Sequence, residues 1–163
     1  VNLGEHLLWA DTVDIPRTTF MAGPSFNLRL GEMVFPWLAL GLQMGGGAAR
    51  NDRAKYSYGH LMIESGIYPF APVPISLRLA TGIGFGSMRD ERWPDRFGVG
   101  GATMRGGLRY EFFPLASRFR PKRAGGWSIA PELAAVVTPG RGAGRAAIYG
   151  AELSVWTAYY FGR

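Results

Sequence analysis

The stretch ISLRLATGIGFG, residues 75–86, alternates with a period of two. Ile75, Leu77, Leu79, Ile83 and Phe85 share one side with Thr81. The other side holds Ser76, Arg78, Ala80, Gly82, Gly84 and Gly86. Period two is the signature of a strand with unlike faces. The polar face here is unusual. A strand surface turned to water is stocked with long polar side chains, whereas this one is made of very small residues and one arginine. Small residues are needed where space is short.

The same pattern recurs along the chain. Phe26, Leu28 and Leu30 alternate with Ser25, Asn27 and Arg29. Leu38, Leu40, Leu42 and Met44 alternate with Ala39, Gly41, Gln43 and Gly45. Leu61 and Ile63 oppose His60 and Glu64. Leu108, Tyr110 and Phe112 oppose Arg105, Gly107, Arg109 and Glu111. Ile129, Pro131 and Leu133 oppose Ser128, Ala130, Glu132 and Ala134. Leu153 and Val155 oppose Glu152 and Ser154. These segments make seven strands, and a weaker one over Leu3–Ala10 makes an eighth. An even number suits a closed antiparallel barrel of the membrane kind. The fold class read from the sequence is all-β: a closed, antiparallel, up-and-down transmembrane barrel forming one domain over residues 1–163.

Composition agrees. The chain has 163 residues, of which 47% are hydrophobic and 18% charged, with 24 glycines and 11 prolines. That length suits one domain. Frequent Gly and Pro argue against long helices. Five Trp, seven Tyr and ten Phe argue for an ordered chain rather than a disordered one. With no cysteine, disulfides and thiolate metal sites are excluded. Val1 to Glu5 carries no leader pattern, so the chain is read as mature or trimmed. The net charge is +6, yet the basic residues fall in turns or singly within strands, with no nucleic-acid-binding motif beside them. No nucleic-acid partner is expected.

Side-chain size decides which face is inside. Eight strands leave an interior just wide enough for side chains to fill. The small-plus-charged face therefore points inward. Arg29, Arg78, Arg105 and Arg109 are expected to meet Glu64, Glu111, Glu132 and Glu152 there, with His60 among them. Buried charges persist when paired, and the planar guanidinium suits carboxylates better than an ammonium. Leu38, Leu40, Leu42, Leu77, Leu79, Ile83, Phe85, Leu108, Leu133, Leu153 and Val155 are expected to face lipid. Trp37, Tyr68, Tyr110, Phe112, Trp127, Tyr159 and Phe161 gather at one end as an aromatic girdle, with Trp9, Tyr56, Tyr58 and Tyr149 toward the other. Amphipathic rings settle at headgroup depth. Pro24 and Pro131 lie inside strands, where bulges or breaks are expected.

On these residues the chain resembles the small eight-stranded bacterial outer-membrane β-barrels, the type of the OmpA transmembrane domain and OmpX. The C-terminal VWTAYYFGR, residues 155–163, resembles the strand read by the barrel-assembly machinery, since Val155, Tyr159 and Phe161 alternate. It departs from that pattern at Thr157 and in the Gly162–Arg163 tail. The resemblance implies a location in the bacterial outer membrane, contact with its lipids and lipopolysaccharide, and a structural or interaction role. An envelope partner would meet the loops or the basic turn 114–126.

Catalysis is not expected. His60 and Glu64 lie roughly 13 Å apart along a strand at ~3.3 Å per residue, too far to touch. No Gly-x-Ser-x-Gly elbow, metal-ligand cluster or phosphate loop is present, so no cofactor is expected. The other readings are a narrow pore or carrier, a lipid-modifying enzyme, and a soluble ligand-binding barrel.

Overall fold

The computed structural model describes residues 2–11, 20–70, 73–91, 96–114, 126–139 and 147–160. These hold eight strands: β1 (Asn2–Asp11), β2 (Met21–Phe35), β3 (Leu38–Arg50), β4 (Ala54–Ile67), β5 (Ile75–Asp90), β6 (Arg96–Tyr110), β7 (Gly126–Thr138) and β8 (Ala147–Tyr160). Each strand pairs antiparallel with the next, and β8 closes on β1. The N-terminal stretch is thus paired on both sides despite its weak alternation.

Register fixes the geometry of closure. From Arg96, successive partners are Arg89, Lys55, Arg50, Ala22, Leu7, Ala151 and Ala135. The path returns to β6 at Gly106, ten residues from its start. With a rise of ~3.3 Å and strands ~4.8 Å apart, that stagger tilts the strands by about 40°.

The sequence places a connection over Glu32–Pro36, between the alternations at Phe26–Leu30 and Leu38–Met44, and the structure shortens it. β2 continues to Phe35, and a register shift between Met33 and Phe35 absorbs the irregularity. The strand prolines act by interrupting ladders. Between β2 and β3, pairing lapses at Gly23 and Pro24 and resumes in the same register. Between β6 and β7, pairing runs from Met104↔Val137 to Arg109↔Glu132, lapses at Pro131, and returns at the Phe112–Ile129 bridge. Phe112 and Ile129 exchange both backbone bonds at 2.8 Å. Bonded and non-bonded pairs alternate, so Tyr110 opposite Pro131 occupies the next bonded position. Proline has no N–H to give the Tyr110 carbonyl. Pro131→Thr is expected to add that bond and to stabilise the barrel by about 0.5–1.5 kcal/mol, read as a higher urea midpoint for the folded form.

The faces sort by parity. On the outside, Leu28, Leu30, Leu40, Leu42, Ile63, Leu79, Ile83, Leu108, Leu133 and Leu153 are all exposed. Inside, the buried residues form two zones. One is polar and charged. The other is apolar: Met21, Ala49, Ala54, Tyr56, Met88 and Ile148 pack together inside the barrel at the end where β3 meets β4.

Candidate functional site: the barrel interior

The inward glycines leave room for large polar side chains. A Cβ on Gly66 would run into the Arg78 guanidinium, with Cζ at 2.8 Å. One on Gly45 would meet Asn27, with Cγ at 2.8 Å, and one on Gly41 would lie 3.3 Å from Arg29 Nε. In the opening stretch, a Cβ on Gly82 would meet the Leu61 carbonyl and Met62, one on Gly84 the Thr103 hydroxyl, and one on Gly86 the Ser57 carbonyl and the Tyr56 ring, so its small face is set by the closeness of the neighbouring strands.

Four arginines and four glutamates form two charge-balanced chains. In the first, Arg29 Nη1 lies 3.1 Å from Glu64 Oε1, and Arg78 Nη1 lies 3.5 Å from the same oxygen. Arg78 also pairs with Glu111. Tyr68 donates its hydroxyl to Glu111 Oε1 at 2.9 Å and accepts from Arg78 Nη2 at 2.8 Å. In the second, Arg109 Nε lies 2.5 Å from Glu132 Oε2, and Arg105 pairs with Glu132. Arg105 Nε lies 3.4 Å from Glu152 Oε2. Glu152 Oε1 accepts from Asn27 Nδ2 at 3.1 Å and from Ser25 Oγ at 3.4 Å. Gln43 Nε2 donates to Asn27 Oδ1 at 3.1 Å. The Arg109 guanidinium also stacks 4.2 Å from the Trp156 ring centroid.

All nine residues read from the sequence as lumen residues lie on the inside. Glu64, Arg78, Arg105, Arg109, Glu111, Glu132 and Glu152 are almost wholly buried. His60 is buried as well and stacks on Tyr58 rather than joining the ion pairs, while Arg29 is half-buried. Asn27, Gln43 and Ser25 were not singled out from sequence, although they share the parity of the arginine and glycine positions.

Of the residues assigned to the outer face, Leu40, Leu42, Leu77, Leu79, Ile83, Phe85, Leu108, Leu133, Leu153 and Val155 are exposed, and Leu38 is half-buried. Five girdle residues are exposed: Trp37, Tyr110, Phe112, Trp127 and Tyr159. Phe35 stacks on Trp37 at 5.7 Å, and Trp127 meets Tyr159 edge-on at 5.5 Å. Tyr68 is a correction. It is 3% exposed and points inward. It continues the parity of Met62, Glu64 and Gly66, which outweighs its position at a strand end. Tyr56 and Tyr58 are corrected likewise: Tyr56 is buried in the apolar zone, and Tyr58 packs against that zone on the same inward face. Phe161, Arg118, Arg120, Lys122 and Arg123 lie outside the described residues.

A closed, up-and-down antiparallel barrel with an apolar exterior and a paired polar interior defines the fold class of the small outer-membrane β-barrels. Three solved structures of that class superpose over nearly the whole chain. Neisserial surface protein A (NspA) matches with a TM-score of 0.61 at 9% identity, covering 98% of this chain and 95% of its own. Ail, the attachment invasion locus protein of Yersinia pestis, matches with a TM-score of 0.59 at 8% identity and the same coverage. The N-terminal β-barrel domain of Pseudomonas aeruginosa OprF matches with a TM-score of 0.51 at 11% identity, covering 94% and 96%. No known family's sequence profile and no curated protein matches the chain.

Proposed function

We propose that residues 1–163 form one integral barrel of the bacterial outer membrane, with a blocked lumen and a structural or interaction role: an anchor that displays loops. The observation that carries this reading is the division of the barrel wall. The middle of its outside is an apolar band, with the exposed charges Arg50, Lys55 and Arg89 kept to strand ends, while its inside is ion-paired. Lipid accepts such an exterior without a covering layer. On this reading, the strand ends bearing the exposed aromatic girdle lie at the periplasmic interface.

The blocked lumen supports an anchor over a pore. The two ion-pair chains, together with Tyr68 and Trp156, occupy one half, and the apolar zone occupies the other. Ail, which shares the fold, has been solved with the heparin analogue sucrose octasulfate at a TM-score of 0.53 to this chain. It is a precedent for an envelope barrel that engages a partner, consistent with lipopolysaccharide or an envelope protein as the partner class here.

Two measurements test the proposal. Detergent-extracted membrane protein, run boiled and unboiled, is expected to change electrophoretic mobility, as folded outer-membrane barrels do. Reconstituted into planar bilayers, it is expected to give no stepwise conductance. Solubility without detergent and an unshifted band would overturn the membrane assignment. Regular conductance steps would favour the narrow pore.

A further inference from the structure

Three basic side chains stand at one level on the outside of the barrel, at the end opposite the aromatic girdle. Arg50 on β3 is the register partner of Lys55 on β4, and Lys55 is that of Arg89 on β5. All three are exposed and share the outward parity of Leu42, Ile63 and Ile83. Arg96 on β6 takes the next register position. Like charges directly opposite each other on neighbouring strands repel, with Cβ atoms ~5 Å apart. None of the three has an ion-pair partner among the described residues. Asp52 and Glu91 stand beyond the row, in the adjoining turns.

The wall beneath the row changes character level by level. Ala48, Ser57 and Ser87 come next, and the two serine hydroxyls lie 3.3 Å apart in a hydrogen bond. Gly46, Gly59 and Phe85 follow. The Phe85 ring lies across Gly59, since a Cβ there would meet it at 2.8 Å. Met44, Leu61 and Ile83 then continue the apolar band. Arg50 is separated from Met44, the central residue of β3, by three outward levels. At ~3.3 Å per residue and a tilt of ~40°, that is a height of about 15 Å. Half of an apolar band ~25 Å tall is about 12 Å. The cations therefore stand just outside the hydrocarbon, at the depth of lipid phosphates.

We propose that this strip binds one phosphorylated glycolipid of the outer leaflet, the lipid A part of lipopolysaccharide. Its phosphate is clasped by Arg50, Lys55 and Arg89, the serine hydroxyls meet the polar link below, and an acyl chain runs down past Phe85. A phosphomonoester carries nearly two negative charges and three acceptor oxygens. It offsets the repulsion along the row, and the guanidinium forks bind it bidentately. The proposal rests on the outer-membrane reading, which puts this end of the barrel in the outer leaflet.

The test uses the full chain in a neutral maltoside detergent, first shown to be folded by its heat-shifted band. Native mass spectrometry then follows adducts with lipid A and with lipid A stripped of its phosphates. A one-to-one adduct with the phosphorylated form is expected, at least tenfold tighter than with the stripped form, on the order of one charge-assisted hydrogen bond. Lys55→Gln, at the centre of the row, is expected to weaken it about fivefold, and the triple change Arg50→Gln, Lys55→Gln, Arg89→Gln about a hundredfold. Arg53→Gln removes the same charge from the exposed β3–β4 turn, off the row, and is expected to leave binding unchanged. Equal uptake of the two glycolipids by the folded barrel, or equal losses from Lys55→Gln and Arg53→Gln, would overturn the proposal and leave the membrane reading standing. A chain that shows no heat shift and stays soluble without detergent would overturn both. The comparison of the two glycolipids needs no variant, so it decides the matter even where a substitution impairs folding.

Discussion

Glu132→Ala is expected to cost about 3–5 kcal/mol of barrel stability, because it removes one partner from a buried ion-pair chain. Glu132 is the shared acceptor of Arg105 and Arg109, and all three are almost wholly buried. Truncation leaves two guanidinium groups in a space with no bulk water to receive them. Their attraction to Glu132 is what offset the loss of their hydration when the barrel closed. Arg105 keeps Glu152, and among the described residues Arg109 keeps the face of Trp156. The measurement is the urea midpoint of the folded, heat-modifiable form in lipid. Glu91→Ala, at an exposed position beyond β5, is the control and should stay within about 0.5 kcal/mol. A loss at Glu132 no larger than the control would mean that the interior is wet enough to solvate free arginines.

Leu42→Arg is expected to cost about 2–4 kcal/mol, the penalty for an arginine on the lipid face near the bilayer midplane. Leu42 lies near the middle of β3, is 53% exposed, and has Leu30 and Ile63 beside it in register. On a water-facing surface the same change would stay within about 0.5 kcal/mol. The substitution therefore separates two solvents with a single side chain. A neutral result in lipid, with the folded band unchanged, would contradict the membrane reading. The two substitutions probe opposite faces of one wall, and their combined result fixes which face meets which medium.

Much of this architecture was legible because parity and side-chain volume act locally. Leu77, Arg78 and Leu79 declare their sides without reference to any other strand. The pairing of four arginines with four glutamates followed from the width of an eight-stranded interior. What parity did not convey is height along the barrel axis. By its place at a strand end, Tyr68 reads with the outward aromatics. Its parity matches Glu64, and its hydroxyl is needed between Arg78 and Glu111. Met21, Met88 and Ile148 also fall on inward positions. Their gathering into one apolar zone depends on the ten-residue stagger that brings β2, β5 and β8 to one level. That stagger is a property of closure and belongs to no single segment. The prolines show the same limit. A break at Pro131 was foreseeable from its missing N–H, but which carbonyl loses a donor depends on register with β6.

The bonds from Glu152 on β8 to Ser25 and Asn27 on β2 pass over β1. They fasten the two ends of the chain from within. A slip of β8 by two residues would keep every leucine outward and every small residue inward, so the hydrocarbon could not detect the error. The carboxylate would detect it, because it would be carried about 7 Å along the strand at ~3.4 Å per residue, away from Asn27 and Arg105. The interior polar contacts thus act as a proofreading gauge for barrel closure. Lipid selects the face that looks outward, and the glutamates select the one alignment in which the last strand meets the first.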